Sequence, residues 1–283
     1  EQGWLTADRV RLLIRFLAGE PMDSKQRTLG FWAYDFSAIP VETISAIYEE
    51  FLKREDPGEK ERKGAFFTPR HLAEMTVDEA LRGMQTLLGK RFLDPACGSG
   101  VFLVILFSRI AEEWRLKNTR ATVAARMDRL IQVMCQQLRG IDLNETACRI
   151  ACFSLYIALL DQFDPRDLRQ LKEDVHGSAR RPLLPPILAY QQEGYETGGR
   201  PVVFQGDFFD TGLPVDNRFD AIVGNPPWAS RQEHGTELAD WMSSSDNPYL
   251  SDLKSRKIRT QAAFFPAKQI AIPFLWKAAL HLH

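Results

Sequence analysis

The tetrapeptide Asn225-Pro226-Pro227-Trp228 follows an apolar segment, Phe219 to Val223, and combines residue types that could do chemistry on a planar amino group. The Asn225 side-chain oxygen and the Pro226 backbone carbonyl are two acceptors that could draw such a group toward a tetrahedral, nucleophilic shape. Consecutive prolines fix the backbone, so these acceptors would be preorganised. Trp228 offers a flat face for an unstacked base. Taken alone, the four residues are equally typical of a rigid strand-end turn with a buried tryptophan.

A second motif, Asp94 to Gly100 (Asp-Pro-Ala-Cys-Gly-Ser-Gly), predicts a strand end, a glycine turn and a helix start. Glycines let the backbone approach a ligand, and a helix start presents N–H groups to an anion. Asp94 would repel a phosphate but attract an ammonium group. A methionine moiety, with one ammonium and one carboxylate, would therefore suit the turn. A glycine turn without any ligand is the alternative.

Two further acidic residues follow predicted strands. Asp142 ends the next strand, where an acid can accept hydrogen bonds from ribose hydroxyls. It lies further from the glycine turn than the usual ~20 residues, because a predicted helix, Thr122 to Gln137, intervenes. Asp207-Phe208 ends a later strand, and a carboxylate beside an aromatic ring suits an adenine. A helix cap for Asn144 onward and an ordinary Asp-Phe turn are the competing interpretations.

Strands that alternate with helices predict an α/β fold with a parallel sheet covered on both faces. The predicted strands are Arg91–Asp94, Leu138–Leu143, Val202–Gln205 and Phe219–Val223. The predicted helices are Arg70–Met84, Val101–Trp114, Thr122–Gln137, Asn144–Leu160 and Ala262–Leu282. The sequence predicts an N-terminal helical subdomain over residues 1–62 and a catalytic domain over residues 63–283. Within the catalytic domain, it predicts an irregular insertion over residues 162–200.

The composition is that of an ordinary globular protein, with 45% hydrophobic residues, 26% charged residues and a net charge of −1. This balance argues against a protein that is basic all over, but it allows a local basic face. No run approaches the roughly 18 apolar residues that span a membrane, so we expect a cytoplasmic protein with no membrane partner. The four cysteines, Cys97, Cys135, Cys148 and Cys152, form no CxxC pair, and we expect buried free thiols and no metal site.

Together these motifs resemble the amino-methyltransferases of restriction-modification and phage-defence systems. The resemblance is strongest to the adenine-specific (N6) DNA methyltransferases, which include type I modification subunits and type IIG enzymes. It covers about residues 35–228 and includes an upstream loop, Ala65 to Pro69, similar to that family's cofactor loop. It implies a Rossmann-like, S-adenosylmethionine-dependent methyltransferase sheet. We expect this sheet to be incomplete at the C-terminus, with a target-recognition domain beyond residue 283.

The resemblance also implies roles for particular residues. The cofactor S-adenosylmethionine would be bound by Phe66, Thr68, Pro69, Asp94, Ala96, Gly98, Gly100, Asp142, Leu143, Asp207 and Phe208. The catalytic group would be Asn225, Pro226, Pro227 and Trp228. The substrate would be double-stranded DNA with a flipped-out adenine. A specificity or nuclease subunit, or a fused domain, would be a possible partner. Because methyl transfer is a direct displacement, Cys97 is not expected to act as a nucleophile.

Two other functions stay open at this stage. Protein (glutamine) and RNA amino-methyltransferases act on planar nitrogens and carry a similar Asn-Pro-Pro-aromatic turn. The upstream loop favours DNA, and a cytosine-N4 enzyme would more often have serine at position 225. A non-catalytic regulatory or assembly subunit is the other alternative, although the intact tetrapeptide argues against it.

Overall fold

The computed structural model describes residues 68–168, 171, 184–194, 201–210, 212–215, 218–228, 238, 240–241 and 271–282. The chain divides into two units, Glu1–Thr43 and Ile44–His283, and all the described residues belong to the second. The predicted subdomain 1–62 and Phe66 lie outside the described residues. So do parts of the predicted insertion 162–200 and the first part, 262–270, of the last predicted helix.

Within the described part of the chain, five parallel strands form one sheet. They are β1 (Phe92–Asp94), β2 (Leu138–Asp142), β3 (Leu188–Tyr190), β4 (Val203–Gln205) and β5 (Ala221–Ile222). Their spatial order is β3-β4-β2-β1-β5. This is the predicted α/β, Rossmann-like architecture, and four of the strands lie where the sequence predicts them.

The fifth strand, β3, corrects the prediction that 162–200 is an irregular insertion. Among the described strands it pairs only with β4, with Ala189 beside Phe204, and lies at one end of their order. A strand of three residues that begins two positions after a pair of prolines has too few apolar positions to produce a strand pattern. The pattern thus predicted a loop where the structure has a short strand followed by a 3₁₀ turn, Gln191–Glu193.

The described helices are α1 (Arg70–Ala80), α2 (Val101–Lys117), α3 (Val123–Gln137), α4 (Glu145–Leu160) and α5 (Ala271–Leu280). Side-chain caps define two starts, since Thr122 Oγ1 accepts from Ala125 N (3.2 Å) and Asn144 Oδ1 from Ala147 N (3.0 Å). Helix α1 ends four residues earlier than predicted, and Gly83 then takes a left-handed φ of 85°. None of the helices in the described ranges has the length and apolar composition needed to cross a membrane.

The two faces of the sheet pack against different helices. Alternating strand residues on one face form a core with α5, comprising Leu93, Ile141, Ala189, Phe204, Phe274 and Ala278. On the opposite face, Gly140 of β2 lies directly under Leu103 of α2. At the start of α2, a Cβ on Gly100 would lie 3.0 Å from Ala151 Cβ, so α4 packs close to the glycine turn. Described helices thus pack on both faces of the sheet.

Strand β1 is the point where the chain reverses direction across the sheet. From β1 the chain moves to β2 and onward to β3 and β4 on one side, and then returns to place β5 on the other side. In open α/β sheets the crevice at such a switch point, outside the carboxyl ends of the strands, is the usual ligand site. The topology therefore places two candidate site residues beside this switch point: Asp94, which ends β1, and Asn225, which follows β5.

Gly140 provides a test of the packing that supports the glycine turn. A Cβ at this position would lie 2.6 Å from Leu103 Cδ1 and 3.1 Å from Cys97 Sγ. We expect Gly140→Ala to lower the free energy of unfolding by about 1–3 kcal/mol, because the added carbon overpacks a closed interface. Urea denaturation measures the change. Gly212→Ala is the matched control, since its Cβ would make only an ordinary 3.4 Å contact. Equal stability of both variants would contradict this packing.

Candidate active site

Four polar side chains follow four neighbouring strands at one edge of the sheet. In spatial order they are Asp207 after β4, Asp142 at the end of β2, Asp94 at the end of β1 and Asn225 after β5. Adjacent strands lie about 4.8 Å apart, so this row extends over three strand spacings, roughly 15 Å. The structure thus brings together residues that are up to 131 positions apart in sequence (225 − 94).

Asp94 is fully buried, with a relative exposure of 0%. Its Oδ1 accepts a hydrogen bond from Ala96 N at 3.2 Å, whereas Oδ2 has no hydrogen-bond partner among the described residues. Burial raises the pKa of this carboxyl well above its usual range; the Ala96 N–H acts in the opposite direction, and the Asp142 carboxylate raises the pKa further. An orphaned carboxylate oxygen at a switch point is suited to a cationic donor such as an ammonium group.

Asp142 accepts two backbone hydrogen bonds across the turn. Its Oδ2 accepts from Gly98 N and its Oδ1 from Asn144 N, both at 2.8 Å. Burial raises the pKa of Asp142, and these two N–H donors oppose the rise. The Gly98 N–H is thus used by Asp142, and an ammonium group, itself a donor, could bond only to the Gly98 carbonyl oxygen. The helix cap of α4 is Asn144 and not Asp142, which removes the capping explanation for this acid.

Asp207 and Phe208 have different surroundings. Asp207 is 8% exposed, and its Oδ1 accepts from Phe209 N at 2.8 Å, which folds the turn back on itself. The Phe208 ring is 2% exposed and packs against Phe274 with ring centroids 5.2 Å apart. Phe208 therefore belongs to the core, and in this structure its ring does not present the open face that the residue type suggested for an adenine.

The tetrapeptide is arranged so that its first and last side chains meet. Trp228 Nε1 donates a hydrogen bond to Asn225 Oδ1 at 2.9 Å, and the Trp228 side chain is 53% exposed. This bond orients the Asn225 amide with its oxygen toward the indole. An amide oxygen can accept two hydrogen bonds, so the contact with Trp228 uses one of them. The exposed indole contradicts the alternative of a turn built around a buried tryptophan.

The remaining predicted residues lie near this edge or before α1. Pro69 forms the start of α1, where its carbonyl accepts from Leu72 N (2.9 Å) and Ala73 N (3.1 Å). Thr68 precedes it and is partly buried. Leu143 follows Asp142 and is 53% exposed, so an apolar side chain is open beside the row of acids. Ala96, Gly98 and Gly100 lie in the turn, and both glycines take left-handed φ values (52° and 88°).

Sequence reasoning missed two residues that build the site. A Cβ at Gly224 would lie 2.5 Å from Asp94 Oδ1 and 3.3 Å from Pro95 Cδ, so only glycine allows β5 to pass this close to the carboxylate. A glycine at the end of an apolar strand signals such a close approach. The second missed residue is Lys277 in α5. It could have been noticed as the single charged residue in an otherwise apolar helix.

The cysteines confirm the expectation of buried free thiols. Burial raises the pKa of Cys97 well above its usual range and that of Cys152 to about 12. Cys97 is therefore protonated at neutral pH and makes a poor nucleophile. The described residues contain no group of three or more His, Cys, Asp or Glu side chains that could hold a metal ion.

These features define a class of protein: a Rossmann-like sheet with an acid-glycine turn after β1 and an Asn-Pro-Pro-Trp turn after β5, which is a methyltransferase arrangement. Residues 136–279 match the family model described as "Eco57I restriction-modification methylase". Residues 72–185 match "MmeI, DNA-methyltransferase domain". The chain belongs to the Eco57I restriction-modification methylase family, a family of DNA methyltransferases from restriction-modification systems.

Three relatives and one solved structure illustrate the similarity. The Escherichia coli type II restriction enzyme and methyltransferase RM.Eco57I is 25% identical over 72% of this chain and 23% of its own length. The Pseudomonas aeruginosa type II methyltransferase M.PaeR7I is 26% identical over 60% of this chain and 24% of its own. DNA methyltransferase A of Bacillus subtilis strain 168 is 33% identical over 37% of this chain and 12% of its own. The matched chain in a cryo-EM structure of a DrdV–DNA complex shares 17% sequence identity with this chain, and the TM-score is 0.49. The match covers 86% of this chain and 22% of that one. The chain spans about a quarter of the length of the first two relatives.

The raised pKa of Asp94 predicts how the stability of the ligand-free protein depends on pH. A raised folded-state pKa means that the folded protein holds this proton more tightly than the unfolded chain does. Stability therefore falls as pH rises from the ordinary value of 3.8 through the raised pKa. We therefore expect Asp94→Asn to stabilise the ligand-free protein at neutral pH, because the amide carries no charge to bury. Thermal unfolding at several pH values measures the effect.

Asp142→Asn is the matched control, with the opposite expected sign. Its amide would turn an N–H donor toward Gly98 N or Asn144 N, each of which now donates to a carboxylate oxygen. A backbone N–H left without its acceptor in this partly buried network would lower the free energy of unfolding by about 1–3 kcal/mol. Destabilisation by both substitutions would contradict an uncompensated charge at Asp94.

Proposed function

We propose that this chain transfers a methyl group from S-adenosylmethionine to the N6 amino group of an adenine that has been flipped out of double-stranded DNA. The observation that carries the proposal is the fully buried Asp94 carboxylate with an oxygen lacking a partner in the described structure, next to Gly224 and hence to Asn225. This is an ammonium-binding group placed one residue from a group able to hold an amino substrate. Membership in a DNA methyltransferase family supports the same conclusion.

The row of strand-end groups matches the parts of the cofactor in order. Asp207 would accept from the adenine amino group, Asp142 would meet the ribose hydroxyls, and Asp94 would pair with the methionine ammonium. The exposed Leu143 would supply an apolar contact beside the ribose site. Asp207 and Asp94 follow strands that are two spacings apart, roughly 10 Å, which suits a ligand with an adenosine at one end and an amino acid at the other.

The catalytic residues would act on the target amino group by positioning and hydrogen bonding. S-adenosylmethionine, when bound, supplies an electrophilic methyl group on a sulfonium. Asn225 Oδ1 and the Pro226 carbonyl would accept the two N–H bonds and localise the nitrogen lone pair. A carbon–nitrogen bond forms as the carbon–sulfur bond breaks, and the extra proton on nitrogen then leaves to solvent. Pro227 keeps the backbone rigid, and Trp228 would stack on the base.

The proposal extends to partners. M.PaeR7I is described as a type II methyltransferase, and RM.Eco57I is described as a type II restriction enzyme and methyltransferase. We infer that this chain works with a target-recognition module, and with a nuclease activity that is either fused or supplied by a partner subunit. The same family membership supports a role in defence against foreign DNA.

The direct test uses isotope-labelled S-adenosylmethionine, the longest natural form of the protein and mixed-sequence duplex DNA. After digestion, mass spectrometry identifies the labelled nucleoside, and we expect N6-methyladenine. Asn225→Ala should lower the rate at least about a hundredfold, since loss of one preorganised hydrogen-bonding group has that effect. Asn118→Ala, at the far end of α2, is the control. Label on cytosine in place of adenine, or label only on RNA or protein supplied in parallel reactions, would overturn the substrate assignment.

Trp228 gives a second, independent prediction. Trp228→Ala should weaken productive binding of the flipped base about tenfold or more, because stacking on an aromatic ring contributes roughly 1–3 kcal/mol per base. Trp228→Phe keeps a ring but removes the N–H that bonds to Asn225 Oδ1. We expect it to retain most of the activity, as measured by steady-state methylation and by 2-aminopurine fluorescence at the target position. Equal losses in the two variants would show that the indole N–H, and not stacking, is the important feature.

A further inference from the structure

Lys277 is a buried cation that the proposed mechanism does not use. It lies on α5 within the apolar sequence Ala271–Leu280 and is 7% exposed. Among the lysines and arginines that the structure describes, it is the one in the buried class. A position that served only to fill the core would hold an apolar side chain, because burying a charge is unfavourable unless it is compensated.

The Lys277 ammonium contacts one short turn, Asp207 to Asp210. Its Nζ donates to the Phe208 carbonyl and, at 3.3 Å, to the Asp210 carbonyl. The same Nζ lies over the Phe208 ring at 5.0 Å and near the Phe209 ring at 5.8 Å from their centroids. Two carbonyls and two successive rings of one turn are thus contacted by a single side chain from α5.

The turn has its own internal bonds, and they centre on Asp207. Asp207 Oδ1 accepts from Phe209 N at 2.8 Å, and Asp210 N donates to the Asp207 carbonyl at 3.0 Å. Asp210 is further held by Gln191 Nε2 (3.2 Å) and by Gly212 N (2.9 Å). Removing the ammonium would leave the buried Phe208 carbonyl and the partly buried Asp210 carbonyl without this donor, so the turn would be held less firmly.

The titratable groups that face Lys277 come from two elements. Asp207 and Asp210 lie on the turn, and His281 follows α5 with its ring 5.8 Å from that of Phe208. Burial lowers the pKa of Lys277 to about 8, although the two aspartates act to raise it. The ammonium therefore begins to lose its charge just above neutral pH, far below the ordinary 10.5.

We propose that Lys277 is a positioning residue that holds the Asp207 turn in the form that recognises the 6-amino group of the cofactor's adenine. The inference rests on the proposed function, because Asp207 is assigned there to the adenine. Lys277 acts through the turn and does not itself touch the ligand. Its loss should therefore affect discrimination at the base and leave binding of the amino-acid end unchanged.

The test compares two ligands that differ only on one edge of the base, at the 6-substituent and in the proton on N1. S-adenosylhomocysteine carries an adenine, and S-inosylhomocysteine carries a carbonyl oxygen in place of the 6-amino group. Isothermal titration calorimetry of each ligand gives a ratio of dissociation constants, in which contributions from the amino-acid end cancel. We expect the wild-type protein to prefer the adenine ligand at least about tenfold, as a hydrogen bond to a charged group allows. Lys277→Met should reduce this preference by most of that factor.

Two control variants separate positioning from a general loss of structure. Lys277→Arg retains a cation, so we expect it to restore most of the preference. Lys117→Met removes a half-exposed lysine paired with Glu113 at the distant end of α2, and it should leave the preference unchanged. Methylation assays should show a higher KM for the cofactor in Lys277→Met with little change in kcat. A variant that unfolds is identified by its thermal melting curve.

A pH series on the wild-type protein needs no substitution. Raising the pH from about 7 to about 9 neutralises a lysine with a pKa near 8, so the ligand preference should fall over that interval. In Lys277→Arg the preference should stay constant, because arginine remains charged. A wild-type ligand preference that stays constant with pH would overturn the role of Lys277, and so would an unchanged ligand preference in folded Lys277→Met. Neither result would affect the proposed methyltransferase function. If the wild-type protein binds neither ligand, the proposed function fails and this inference falls with it.

Discussion

The rest of the site depends on a buried carboxylate at the switch point of the sheet. Asp94 is excluded from solvent, and one of its oxygens has no partner in the described structure, which is an unfavourable state for an isolated protein. The surroundings are shaped to keep it there. Gly224 leaves room for Oδ1, and Ala96 N donates to it. Under the proposed function the ammonium of the cofactor completes this arrangement, so ligand binding and folding stability are linked through one carboxyl group.

Topology explains why residues so far apart in sequence can cooperate. Parallel strands end at the same edge, and reversal at β1 opens a crevice between the ends of β1 and β5. Asp94 therefore faces the turn that carries Asn225 without any contact between distant loops being needed. The glycines at 98 and 100 take left-handed conformations that let the chain turn sharply into α2, while Gly98 N is fixed by Asp142. One turn thus joins two of the three acids.

Much of this could be predicted from sequence because the signals are local. Thr122 and Asn144 mark helix starts as side-chain caps, and the turn motifs follow apolar strands, so the order of elements is readable. What could not be predicted depends on tertiary contacts. Strand β3 is too short to show a pattern, and the Phe208 ring is drawn into the core by Phe274, a residue 66 positions away (274 − 208). The importance of Gly224 appears only once β5 lies beside β1.

Two buried charges of opposite sign lie at the two ends of the proposed cofactor site, and both act against the stability of the ligand-free fold. Asp94 has a raised pKa, so its cost is present above that pKa and disappears on acidification. Lys277 has a lowered pKa, so its cost is present below about pH 8 and is relieved as pH rises toward 10.5. Neither cost is explained by packing, since apolar residues of similar size would remove both. Under the proposed function Asp94 would pair with the ligand at its amino-acid end, and Lys277 would hold the turn that contacts its adenine end.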